Sequence, residues 1–139
     1  MEAPVEDKRI TIKEAVKLVP DGAHLFWGGF GFQRPPMAFA HELVRQKKRN
    51  LTIYTCGSEM DLDILVGAKV VSHLEVAFYA IEGIGLVPNI QRRIREGAIE
   101  IEDYSNLAMA LRFLGGALDV PFMPLKSMLG SDMLTKKEV

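Results

Sequence analysis

An α/β fold with an open, mostly parallel sheet and flanking helices is the class this sequence predicts. Short runs rich in β-forming residues alternate with segments of helical spacing about four times along the chain. Three glycine-containing loops, GGFGFQRPP, CGSEMD and EGIGLVPN, fall after strand-like runs, at the edge where open parallel sheets bind ligands. One run, LEVAFYAI at 74–81, is apolar on both faces, as a central strand covered on both sides requires.

The elements follow in order. Thr11 and Glu14 stand at capping-box spacing ahead of Ile12, Ala15, Val16 and Val19, which share one stripe of a short helix that Pro20 to Gly22 ends. AHLFWGGF at 23–30 reads as a buried strand feeding a glycine loop. Pro35 and Pro36 suit a helix start, and Phe39, Ala40, Leu43 and Val44 recur at helical spacing after them. LTIYT at 51–55 is a second strand, and LDILVGA a short helix after the CGSEMD loop. Pro88 and Gly97 bracket NIQRRIRE as a helix, and AIEIE alternates like an edge strand. From Ser105, a plausible N-cap, Leu107, Ala110, Leu111, Leu114 and Leu118 mark a longer amphipathic helix, with Gly115 and Gly116 near its end. The last stretch carries Phe122, Met123, Leu125, Met128 and Leu129, too apolar for a solvated tail, so it is expected to dock on this domain or on a partner.

Composition narrows the function. The chain has 139 residues, a length that suits one domain over residues 1–139, and its 48% hydrophobic and 25% charged residues fit a folded domain. A net charge of −1 provides no strong field for nucleic acid or an anionic membrane. The basic run from Arg45 to Asn50 closes a helix, where cations complement the dipole. One cysteine, Cys56, leaves no internal disulfide and no Cys-based zinc site, and a reducing cytoplasm fits. No segment approaches the roughly 20 apolar residues of a membrane span, and the first residues carry no signal-peptide core.

The loops hold the candidate chemistry. Gly28, Gly29 and Gly31 let backbone amides approach a ligand, and the helix start behind them favours an anion or a developing oxyanion. Structural turn glycines would leave the same pattern. The loop is neither a dinucleotide fingerprint, because Arg34 stands where the last glycine belongs, nor a P-loop, because no Gly-Lys-Ser/Thr follows. Arg34 offers a planar fork for a carboxylate or phosphate, unless it simply faces solvent. Glu59, Asp61 and Glu82 lie in loops at the binding edge, where each is either a nucleophile or base, or merely solvated. His24, His41 and His73 lack metal spacing and read as structural or exposed.

These residues resemble the alpha (A) subunit of family I coenzyme A transferases, particularly the glutaconate-type branch. The family signature runs Asp-Gly, two residues, three apolar residues, Gly-Gly-Phe, three residues, Gly, one residue, Pro. Here it reads Asp21-Gly22, Ala23-His24, Leu25-Phe26-Trp27, Gly28-Gly29-Phe30, Gly31-Phe32-Gln33, then Arg34-Pro35-Pro36, with Arg34 in place of the final glycine. DLDILVGAKVV, PNIQRRIREGAIEIEDYSN and GALDVPFMPLKSMLGSDM are similar to matching segments of these subunits, so the likeness covers nearly the whole chain.

The resemblance implies a CoA-transferase/NagB-like fold, incomplete relative to the family's full domain. It also implies ping-pong transfer of CoA from an acyl-CoA to a carboxylic acid in a hetero-oligomer, with the nucleophilic glutamate on a partner beta subunit and no catalytic residue in this chain. Coenzyme A is then substrate, and no further cofactor or metal is expected. Gly28, Gly29, Phe30 and Gly31 would shape the oxyanion loop, Gln33 and Arg34 would orient a carboxylate, and Ser58 and Glu82 would lie at the edge of the substrate site. Two other readings remain open: a CoA-thioester or ring-cleaving hydrolase subunit on the same fold, and a non-catalytic scaffold subunit.

Overall fold

A computed structural model of the chain describes residues 7–134. Its frame is a four-stranded parallel sheet of β1 (His24–Phe26), β2 (Leu51–Thr55), β3 (Val71–Val76) and β6 (Glu100–Asp103), in that spatial order. A separate two-stranded hairpin, β4 (Ala80–Ile81) with β5 (Gly85–Leu86), stands between β3 and β6 in the chain. Residues 135–139 at the end of the apolar stretch lie outside the described residues.

One face of the sheet is the core. Leu25, Ile53, Leu74 and Ile101 stand level across the four strands. They meet α1 (Ile12–Lys17), α2 (Met37–Arg45), α3 (Met60–Gly67) and α4 (Pro88–Arg95) through Val16, Ala40, Leu43, Leu62, Leu65, Val66 and Ile90, all buried. Helix starts follow the sequence. Thr11 and Glu14 complete the expected capping box on α1, and Pro88 occupies the first turn of α4. Asp63, on α3, caps that turn from outside, accepting from Asn89 N at 2.8 Å, Ile90 N at 3.0 Å and Asn89 Nδ2 at 2.7 Å. Asp63→Ala is therefore expected to cost about 2 kcal/mol, because buried amides lose a charged acceptor, and a urea melt reads it.

The other face is polar. Phe26, Tyr54, Glu75 and Glu102 stand level across it, and α5 (Asn106–Ala117) lies over them, capped by the Ser105 hydroxyl as expected. Arg112 pairs with Glu75 and stacks 4.3 Å from the Tyr104 ring centroid, while Phe113 reaches Phe26 with centroids 4.2 Å apart. α5 thus runs from the end of β6 back across the sheet to β1.

Two expectations are corrected. The first strand covers only His24–Phe26 and is an edge strand, with Phe26 66% exposed, because only its Leu25 face meets the core. The central strand is displaced: it spans Val71–Val76, and the apolar residues after it leave the sheet. Tyr104 N takes the Val76 carbonyl and Ser58 N takes that of Phe78, so Ala80 and Ile81 build the hairpin instead. Its second face is not apolar either, since Glu75 lies there. In the final stretch Met128 is buried and Met123 packs on Gly115, whereas Phe122 and Leu129 are exposed, so docking is partial.

Candidate functional site

The first two glycine loops meet beyond the carboxyl ends of β1 and β2, whereas EGIGLVPN runs through the separate β4–β5 hairpin. After Trp27 the chain makes a tight hairpin: Phe30 N donates to Gln33 O at 3.1 Å and Gln33 N to Phe30 O at 2.9 Å, with Gly31 and Phe32 at the tip. Gly29 has φ +99°, and a Cβ there would stand 2.8 Å from the Arg34 carbonyl oxygen, so only glycine lets the two arms close. Arg34, which replaces the signature's last glycine, has φ +57°.

This hairpin and the start of α2 enclose a cavity of about 490 Å³ lined by Trp27, Gly28, Gly29, Arg34, Pro36 and Phe39 among others. The N-cap residue of α2, Pro36, supplies no side-chain cap. Among the described residues no carboxylate pairs with Arg34. Apolar walls, backbone amides, a helix start and a guanidinium suit an apolar group that carries a carboxylate or an oxyanion.

Beneath the hairpin lies a buried polar network. Trp27 Nε1 donates to Asp61 Oδ2 at 2.5 Å, the Ser58 hydroxyl donates to the Asp61 oxygens at 2.6 and 2.7 Å, and Glu59 N donates at 3.3 Å. All three partners are donors, the set a carboxylate accepts. The structure thereby ties the first glycine loop to the second through side chains 34 residues apart. Ser58 is buried with its hydroxyl committed to Asp61, so it supports the site from below. Glu82 is exposed on the β4–β5 turn, and Phe32, Gln33 and Arg34 are exposed on the first loop. Phe30 packs its ring on Gly57, where a Cβ would meet it at 2.9 Å.

Glu59 is the loop carboxylate that the sequence does not set apart from its neighbours. It is 1% exposed, Oε2 has no hydrogen-bond partner among the described residues, and Oε1 lies 3.3 Å from where a Gly31 Cβ would stand. Burial, then the charges of Glu82 and Asp61, push its carboxyl above the ordinary range. Cys56 is likewise held up by burial, which disfavours a reactive thiolate. On the far face, His73, Glu75 and Glu102 bring metal-ligating atoms within 4.8 Å of one another. Arg112 already pairs with Glu75, and the Tyr104 hydroxyl donates to Glu102 at 2.7 Å, so the cluster is a satisfied ion network.

Comparison with known proteins bears on the family and the fold. The chain is 34% identical over 131 residues to the A-type subunit of the glutaconate CoA-transferase of Acidaminococcus fermentans, covering 91% of this chain and 40% of that one. The solved glutaconate coenzyme A-transferase of that organism superposes with a TM-score of 0.85, at 30% identity, over 91% of this chain and 40% of its own. A solved decarboxylase, AibA/AibB, gives a TM-score of 0.86 at 28% identity, over 93% of this chain and 50% of its own. The cholesterol ring-cleaving hydrolase IpdA subunit of Rhodococcus jostii is 29% identical over 128 residues, 91% of this chain and 44% of that one. The chain spans less than half the length of these two curated relatives. The family model described as coenzyme A transferase matches residues 9–139, and on that match, with the shared parallel sheet, the chain belongs to the coenzyme A transferase family.

Proposed function

We propose that this chain supplies the glycine-loop half of a cytoplasmic active site that moves coenzyme A from an acyl-CoA to a free carboxylic acid. A beta subunit carrying the attacking glutamate completes it. The observation that carries this reading is the convergence of the glycine hairpin, the α2 start and Arg34 on one cavity.

The partner's glutamate attacks the thioester carbonyl, the carbonyl oxygen takes negative charge, and the tetrahedral species collapses to a mixed anhydride and CoA thiolate. The thiolate then attacks the glutamyl carbonyl, releasing the first acid and leaving a glutamyl-CoA thioester. An acceptor carboxylate reverses both steps. The amides of Gly28 and Gly29, which line the cavity, are offered to the oxyanions, and Arg34 to the free carboxylate. Glu59 is a poor nucleophile in this scheme: it is covered by the hairpin, and its neutral form is favoured.

Arg34→Gly tests the arginine without disturbing the backbone, because glycine adopts φ +57° freely. The variant is expected to match or exceed the parent's Tm and to lower kcat/KM for the acceptor acid by about 10- to 100-fold in the assembled complex, as loss of a charged contact implies. Unchanged kinetics would support a scaffold role instead.

A hydrolase reading is favoured by the likeness to the ring-cleaving hydrolase subunit. Water would then replace the acceptor. Release of CoA that strictly requires a second carboxylic acid excludes it.

A further inference from the structure

We infer that Glu59 is a positioning residue: its uncharged carboxyl holds the glycine hairpin down on the sheet edge, and its ionisation releases the hairpin. Three observations of geometry carry this. The side chain is all but fully buried although it ends in a carboxyl group. Its Oε1 lies 3.3 Å from where a Gly31 Cβ would stand, so the carboxyl faces the hairpin tip with no room for a side chain larger than glycine's between them. Its Oε2 has no hydrogen-bond partner among the described residues, although a buried carboxylate needs several.

Among the described residues the surroundings of Glu59 offer no cation that offsets its charge. Among the described residues, the charges acting on Glu59 are those of Glu82, on the β4–β5 turn, and Asp61, on the helix that Glu59 precedes; Gly31 and Phe30 of the hairpin bring none. Asp61 cannot relieve it, because its oxygens are taken by Trp27, Ser58 and the Glu59 amide. Burial and two negative neighbours all oppose the charged form. An ionised Glu59 must recruit water, and the nearest way to admit it is to lift the hairpin. The backbone bonds of Phe30 and Gln33 close the hairpin on itself, so lifting it costs the packing of the Phe30 ring on Gly57 and leaves those bonds in place.

The sign of the linkage follows. The folded state keeps this proton to higher pH than the unfolded chain, so the unfolded chain binds fewer protons across that window. Stability therefore falls as pH rises from the ordinary carboxylate range through the raised folded value. With the hairpin lifted, the amides of Gly28 and Gly29 at its base shift in the cavity. The consequence for ligand capture rests on the function proposed above, whereas the hairpin's response to pH does not.

Hydrogen exchange on the whole chain without ligand, at low salt and corrected for intrinsic base catalysis, tests the inference. Exchange at the Ser58 and Glu59 amides, buried beneath the hairpin, is expected to rise about 10-fold across one pH transition in the parent protein, as local opening becomes easier. Glu59→Gln, which fixes the neutral shape, is expected to stay flat. Glu82→Gln, which removes one negative neighbour from an exposed position, is expected to move the midpoint to lower pH. A flat parent profile, the same rise in Glu59→Gln, or an unmoved midpoint in Glu82→Gln overturns the inference. The Glu82 variant decides the matter if Glu59→Gln does not fold. A complex that transfers no CoA yet shows this contrast would defeat the proposed function and leave the role of Glu59 standing.

Discussion

Asp61→Ala is expected to be the most destabilising single change in the chain. The carboxylate is fully buried and serves as the common acceptor for Trp27 Nε1, the Ser58 hydroxyl and the Glu59 amide. Alanine leaves two side-chain donors buried without an acceptor, each costing roughly 1–3 kcal/mol, so the total falls at about 2–6 kcal/mol. Domains of this size hold only about 5–15 kcal/mol, so a large share of the stability is at stake. Trp27 is the single tryptophan, so intrinsic fluorescence during urea unfolding follows both the global transition and the local network. Asp61→Asn keeps the shape and one acceptor oxygen, and should lie between parent and alanine variant. A cost below about 1 kcal/mol for Asp61→Ala would contradict the network as drawn.

The second large effect falls on catalysis. Gly29→Ala puts a Cβ 2.8 Å from the Arg34 carbonyl oxygen and 3.2 Å from Pro35 Cα, at φ +99°. The clash is with backbone on the opposite arm, so the hairpin must open, and no flexible side chain can absorb it. Displacing catalytic amides by about 1 Å costs on the order of 100-fold in rate, and kcat/KM in the assembled complex should fall by at least that much. Gly116→Ala is the control. It lies in α5 with open space where its Cβ would go, and should raise stability by up to about 1 kcal/mol while leaving turnover unchanged. A Gly29 variant with normal kinetics would remove the hairpin from the chemistry.

Much of the fold was legible because local signals agreed with the global arrangement. The Thr11–Glu14 capping box, the Pro88 start, Gly97 at φ +59° and the Ser105 cap each fix an element end by short-range chemistry. The apolar run after Leu74 misled because hydrophobicity states only that a residue is covered. Phe78 to Ile81 are half-buried by a hairpin and by the β2–α3 loop instead of by a sheet neighbour. The polar second face was hidden for a related reason: Glu75 is tolerable there only because Arg112, on α5, comes back across the sheet to meet it. That is a contact 37 residues away, 112 minus 75, and no periodicity announces it.

The site divided in the same way. Glycines 28, 29 and 31 and Arg34 were legible as a loop able to hold an anion, and the structure places them around one cavity except Gly31, which forms the hairpin tip. From residue type and position alone Glu59 could not be separated from Asp61 and Glu82, and the resemblance pointed to Glu82 instead. Only the hairpin folding over Glu59, the three donors converging on Asp61 and the solvent around Glu82 give them different chemistry. The single signal was the double glycine facing CGSE, two loops flexible enough to close on each other.

The most direct test of the central proposal is intact-mass spectrometry of the chain co-purified with a beta subunit and exposed to acyl-CoA, before and after addition of an acceptor acid. The predicted result is a covalent CoA adduct on the beta subunit's glutamate, discharged by the acceptor, with this chain unmodified. An adduct on this chain, or CoA transfer with no adduct on either subunit, would contradict it.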